Sequence, residues 1–328
     1  MHSSFKTLQR AIGCGLLALG MVAGAGMAQA QDFPSRSVRL VIPGPAGGAT
    51  DTMARLLANG LSEKWGQSVV VENKPGGTGL VSLRETMGAD PDGHVLSMMI
   101  SGFMPINALT HGSQYEALTA STPIAFLSEY PLFLVTKAER PYSNWKELDA
   151  YAKQHSNRAS YGVSGVAGTP HLLGERIKQR TGIDLQPVPY KGDAPMLTAV
   201  IGDQVDFAMP IAASAMPMVK AGRVKPLAVT SAERAAFAPD VPTLREQGLE
   251  LVSAPWAMIA GPAGMKADLV ARINQDVHDV IASKAMRDYY EANGVVSKKM
   301  TPQELAAYVT SENDVALKII REANIEVK

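Results

Sequence analysis

Short apolar runs alternate along the chain with stretches in which apolar residues recur every three or four positions. Val38–Ile42 reads VRLVI and predicts a buried strand. A Gly/Pro loop follows, then a helix from about Thr50 with Met53, Leu56, Leu57 and Leu61 on one face. Val69–Val71 predicts a second strand, closed by the turn Asn73-Lys74-Pro75-Gly76-Gly77, and Asp90-Pro91-Asp92-Gly93 turns into the run Val95–Ile100. Ile124–Leu127 and Leu132–Thr136 are further strands around Pro131. The plan then repeats. Asn144 with Glu147 resembles a capping box opening a helix to about Gln154, and Ala159–Val163 is a strand. Ser164–Thr169 is a small-residue loop, Thr169 is a candidate N-cap, and a helix runs on from Pro170 to about Arg180. Leu185–Pro189 predicts a strand, Pro195–Ile201 a helix, and Val205–Met209 and Leu227–Thr230 two more strands. The last third is helical, with Leu269, Ile273, Val277, Val280 and Ile281 in one stripe. A capping box at Thr301-Pro302-Gln303-Glu304 opens a final helix that buries Leu305, Tyr308, Val309, Ala316 and Ile320. Strands alternating with helices imply α/β layers with largely parallel sheets.

The first thirty residues stand outside this plan. Lys6 and Arg10 precede the apolar, small-residue stretch 11–27, and Ala28-Gln29-Ala30 supplies a cleavage pattern. That order predicts a secretory signal cut after Ala30, and hence an exported protein. The stretch is too short and too rich in Gly and Ala for a spanning helix. Cys14, the one cysteine in 328 residues, leaves with it, so no disulfide and no Cys-based metal site is expected. The chain carries 31 basic and 31 acidic side chains, and removal of the signal leaves 29 against 31. A net charge near −2 argues against a nucleic-acid partner.

Candidate chemistry gathers in two loops of one design. Pro43-Gly44-Pro45-Ala46-Gly47-Gly48 lies between a strand and a helix, as does Ser164-Gly165-Val166-Ala167-Gly168-Thr169. Glycines let a ligand approach the backbone, and a helix start presents free N–H groups to an anion. The helix dipole contributes about 0.3–1 kcal/mol there, and hydrogen bonds to a charged acceptor about 1.5–3 kcal/mol each. Neither loop is a P-loop or a G-x-G-x-x-G fingerprint. Asp51 reads as a functional acid or, more simply, as a first-turn residue that stabilises its helix through the dipole. Gly162-Val163-Ser164-Gly165-Val166 falls one residue short of a nucleophile elbow, so an exported serine hydrolase using Ser164 and His171 is the alternative reading. Tyr190, in Pro189-Tyr190-Lys191-Gly192-Asp193, stands at a third strand end. The histidines lack metal-ligand spacing, so no metal and no cofactor is expected. Without a convincing nucleophile, base pair or metal site, the loops point to binding more than to catalysis.

At these residues the chain resembles the Bug family of periplasmic solute-binding receptors, the substrate-binding proteins of tripartite tricarboxylate transporters. The matching segments run in order over about residues 33–326: 33–43, 45–51, Ala54-Arg55, 71–77, 90–93, Gly168-Thr169-Pro170-His171-Leu172, 188–192, 227–231 and 239–243. The resemblance implies a two-lobed α/β flytrap of the type II periplasmic binding protein kind, each lobe a mixed sheet flanked by helices. Residues 31–130 with 253–328 would form lobe 1 and residues 131–252 lobe 2, with crossings near Pro131 and Val252–Trp256. It implies a small organic carboxylate as ligand, membrane permease subunits as partners, and a periplasmic monomer. Carried onto this chain, one jaw is Pro45, Ala46, Gly47 and Gly48, and the other is Ser164, Gly165, Ala167, Gly168 and Thr169. Ser101 and Tyr190 flank them, and Met209 and Pro210 form a wall. Pro210 stands where relatives often carry an acid, and Gly79-Leu80-Val81 replaces a G-N-I-G-like stretch. The ligand expected is therefore a carboxylate with an apolar or uncharged body, not a cationic amino acid.

Overall fold

The computed structural model describes residues 33–44, 46–76, 79–103, 121–155 and 157–326. The predicted cleavage site after Ala30, Cys14, Pro45 and Gly77 lie outside them. Residues 1–35 and 36–328 form separate units, and the elements below all belong to the second. In chain order these begin with β1 (Val38–Ile42), α1 (Ala49–Trp65), β2 (Val69–Asn73), α2 (Leu80–Met87) and β3 (Val95–Ile100). After a 3₁₀ turn at Ser101–Phe103 come β4 (Thr122–Glu129), β5 (Phe133–Lys137), α3 (Trp145–Gln154), β6 (Arg158–Val163) and α4 (Thr169–Thr181). Then follow β7 (Asp184–Pro189), α5 (Asp193–Ile201), β8 (Phe207–Ala208), α6 (Ala212–Lys220) and β9 (Val224–Val229). The chain ends with β10 (Trp256–Gly261), α7 (Ala267–Ile281), α8 (Lys284–Ala292) and α9 (Pro302–Glu322).

These strands form two five-stranded sheets, ordered β2-β1-β3-β10-β4 and β7-β6-β8-β5-β9. The sheets have the same topology. In each, three neighbouring strands are parallel, and the fourth runs antiparallel to both its partners. The largely parallel reading is thus corrected to mixed. The antiparallel strands, β5 and β10, are the two that enter directly from the other sheet. The second sheet is built from one continuous segment, whereas the first receives β10 between β3 and β4.

Local sequence explains most of these elements. Four of the five residues of β1 are buried, the continuous apolar run that a strand covered on both faces requires. Its exception, Arg39, is clamped by Glu72 at 2.7 Å through two nitrogens and by Glu85 at 2.5 Å. Gly66 ends α1 at φ 66°, a left-handed cap that suits glycine. Thr301 and Glu304 close both halves of the capping box on α9. At α3, Asn144 accepts from the Glu147 N–H, while the Glu147 carboxylate accepts from the Ser143 N–H, so the reciprocal half is displaced by one residue. Val205–Met209 contracts to the two residues of β8, and Pro210, which has no N–H, keeps the ladder from extending past them.

The two crossings lie side by side. The Tyr130 N–H donates to the Pro255 carbonyl at 2.8 Å. Thr230, fully buried, ties three segments together. Its hydroxyl donates to the Ser253 carbonyl at 2.5 Å and accepts from the Leu132 N–H at 3.1 Å. Helix α9 then spans both lobes. Leu305 and Val309 pack with Phe126, Trp256 and Met258 of the first sheet. One end of the same helix sets Ile319 and Ile320 against Ala167 and Leu172 at the start of α4.

Candidate functional site

The two glycine loops leave the carboxyl ends of β1 and β6, the edge at which open α/β sheets take ligands. Their backbones match. Gly47 and Ala167 are left-handed, at φ 81° and 57°. Gly48 and Gly168 follow as extended N-caps, at φ −78°, ψ 169° and φ −71°, ψ 167°. The cap of α4 is therefore Gly168, and Thr169 is its first helical residue, so the helix starts one residue earlier than expected. Glycine caps carry no side chain to satisfy the first helical amides, which stay available to a ligand.

Each loop is braced from below by a side chain four residues on. The Gly47 N–H donates to Asp51 Oδ2 at 3.0 Å, and the Ala167 N–H donates to His171 Nδ1 at 3.0 Å. Two amides of the proposed anion cradle are thus engaged within the protein. The braces differ in charge. Asp51 is buried and also accepts from Arg55 Nε and from Asn73 Nδ2, each at 2.9 Å. The Arg55 hydrogen bond first, then the Gly47 amide and Asn73, hold its carboxyl far below the usual range, so it is a permanent anion under the first loop. His171 is buried, and burial lowers its pKa. Because Nδ1 accepts a hydrogen bond, the neutral ring carries its proton on Nε2, which lies 4.0 Å from Glu175 Oε1. Ser164 is exposed, while the His171 ring is turned onto the Ala167 amide. No nucleophile–base pair is formed between them.

The other expected residues are placed as follows. Ser101 Oγ accepts from the Trp256 N–H at 3.0 Å. Tyr190 is half-buried beside the second loop, its N–H donating to the Val163 carbonyl at 2.8 Å. Met209 is fully buried in the apolar core of the second sheet with Leu134, Tyr161 and Phe207. Pro210 is buried, and its carbonyl accepts from the Phe133 N–H at 3.0 Å. Ser101, Ala167 and Thr169 come together around one cavity of about 50 Å³, which Arg176, Trp256 and Asn313 also line. Sequence reasoning left out Asn73, Arg176 and Asn313. Asn73 carried a signal, since it ends the strand next to β1. Asn313 carried none, because a polar residue on a helix reads as solvated. Among the described residues, no group of three His, Cys, Asp or Glu side chains is arranged to hold a metal ion.

Comparison with known proteins places the chain among solute receptors. The family described as the tripartite tricarboxylate transporter family receptor matches residues 53–325. The chain belongs to this family. It is 28% identical to protein BugT of Bordetella pertussis over 314 residues, covering 94% of this chain and 96% of BugT. An R. palustris protein solved with adipate is 31% identical, with a TM-score of 0.73 over 90% of this chain and 99% of that one. MatC of Rhodopseudomonas palustris, solved with bound malate, is 28% identical, with a TM-score of 0.68 over 88% of this chain and 100% of that one. This tricarboxylate-transporter receptor has the two-lobed α/β fold of its relatives. With the Ser164–His171 couple unformed, the serine hydrolase reading falls away.

Proposed function

We propose that the protein captures a small organic carboxylate between its lobes and hands it to permease subunits of a tripartite tricarboxylate-type transporter, or presents it to a sensor. The observation that carries this reading is the pair of matched loops, one on each sheet, with glycine-capped helix starts at the strand ends. The adipate and malate held by two structural relatives agree with it. Of the two loops, the second is the better seat for a carboxylate, because its brace is a neutral histidine whereas Asp51 sets a negative charge beneath the first. Contacts at the first loop are then made by the amides Asp51 leaves free, or through water. Ala46–Gly48, Ser101, Ser164–Thr169 and Tyr190 surround the ligand, with Met209 and Pro210 behind them as an apolar wall.

In this reading residues 31–130 and 253–328 close against residues 131–252, and ligand shifts the population toward the closed state. The mature chain begins at Gln31, works in the periplasm as a monomer and catalyses no turnover. Thermal shift and calorimetry against mono- and dicarboxylates, lysine and ornithine test the proposal. Carboxylates raise the melting temperature and the cationic amino acids do not. A preference for lysine or ornithine would overturn it, as would ester turnover that is lost in Ser164→Ala.

A further inference from the structure

Behind the second loop, the cavity of about 50 Å³ reaches between α4, α9 and the segment entering β10. Such a volume holds a small polar group or a few waters. Ser101, Ala167 and Thr169, three of the residues read above as surrounding the ligand, form one side of it. Two observations define what the space accepts. Asn313 lines it, and Asn313 Oδ1 is buried without a hydrogen-bond partner. Arg176 and Glu312 line it with opposite charges. Arg176 donates to the Val252 carbonyl at 3.1 Å, and among the described residues it makes no salt bridge with Glu312.

Resting on the carboxylate reading above, we propose that this cavity is a specificity subsite for the distal end of the ligand. It selects an uncharged hydrogen-bond donor, a hydroxyl or a primary amide, which Asn313 Oδ1 accepts. An alkyl end leaves that oxygen unpaired once water is displaced, and a buried unpaired acceptor costs free energy. A carboxylate end gains Arg176 but meets both Glu312 and the Asn313 oxygen. A hydroxyl or amide satisfies the oxygen and adds no charge to a balanced pair.

Calorimetry on the mature protein separates these ends with four six-carbon probes: hexanoate, 6-hydroxyhexanoate, adipate monoamide and adipate. The wild type should bind the hydroxy acid and the monoamide about tenfold more tightly than hexanoate, the ratio expected for one hydrogen bond. In Asn313→Leu that ratio should fall to near one while hexanoate binding persists. Asn313→Ser, which keeps a hydroxyl acceptor, should retain part of it, and guards against misfolding of the leucine variant. An unchanged ratio in Asn313→Leu overturns the proposal, as does adipate binding most tightly to the wild type. If none of the four acids binds, the carboxylate reading itself has failed, which is a different result.

Discussion

Replacing Thr230 by valine should loosen the junction where the chain crosses between the sheets, by an amount that follows from its contacts. The side chain is fully buried, and its hydroxyl serves the Ser253 carbonyl at 2.5 Å and the Leu132 N–H at 3.1 Å. Valine keeps the shape and removes both bonds. Each partner left unpaired costs about 1–3 kcal/mol. The added methyl returns about 0.8 kcal/mol of burial. The expected loss is therefore about 1–5 kcal/mol. Thr230→Ser keeps the hydroxyl and deletes one methyl, a loss of about 1 kcal/mol. Urea unfolding of the mature protein, with midpoint and slope both measured, reads the two values. The ordering is the test. If Thr230→Val is as stable as Thr230→Ser, packing and not the hydroxyl holds the crossing, and the reasoning is wrong.

Three further outcomes are expected. Gly174→Ala sets a Cβ 2.1–2.4 Å from the ring and hydroxyl of buried Tyr161. Helix α4 must shift by about 1 Å, and overpacking of about 1–3 kcal/mol should outweigh the ~1 kcal/mol gained by removing a helical glycine. Thermal unfolding shows a lower midpoint, and the penalty of Gly174→Ala should shrink when it is measured in a Tyr161→Leu background. Stability should also depend on pH through His171, whose pKa burial lowers in the folded state. Its contribution is present above the unfolded value of about 6.5 and is lost as pH falls from there toward the folded pKa. Glu175, raised by burial, acts in the opposite sense, since its folded form takes up a proton first. The difference between wild type and His171→Asn isolates the histidine, and the wild type should lose more stability below that pH. Finally, Asp51→Ala should speed amide hydrogen exchange at Gly47 and not at Ala167, whereas His171→Ala should do the reverse, because each amide has its own brace.

Much of the architecture is legible in local pattern. The strand Val38–Ile42, the helix starting near Thr50 and the capping box at Thr301 are each written in adjacent residues, so neighbours alone predict them. Three elements escape. Helix α6 contains Pro217, which breaks the expected pattern. Helix α2 has only eight residues and no side-chain cap at Gly79. Strand β10 is fully buried and short, a run that periodicity cannot assign. Its antiparallel course depends on the other sheet, which no local residue encodes. The site divides the same way. The loops show themselves through glycine and position, and Asp51 through its place in a first turn. That Asp51 and His171 brace equivalent amides emerges only when both loops are folded, since one is a carboxylate and the other an imidazole. The side chains that α9 brings behind Thr169 come from some 140 residues away, beyond any spacing argument.

The placement of β10 has a consequence for the order in which the molecule can be completed. Strands β3 and β4 do not touch; β10 lies between them and pairs with both. The sheet holding the first strand of the chain therefore stays open along its middle until residues 256–261 arrive. The other sheet needs nothing beyond Val229. Whether the chain emerges from a ribosome or threads through an export channel, its middle can finish first, and its beginning must wait for its end. A chain truncated after residue 252 should hold one protected sheet by hydrogen exchange, beside four strands that cannot close. Pairings over such separations fold slowly. The receptor becomes able to grip a ligand only after nearly its whole length is free to fold.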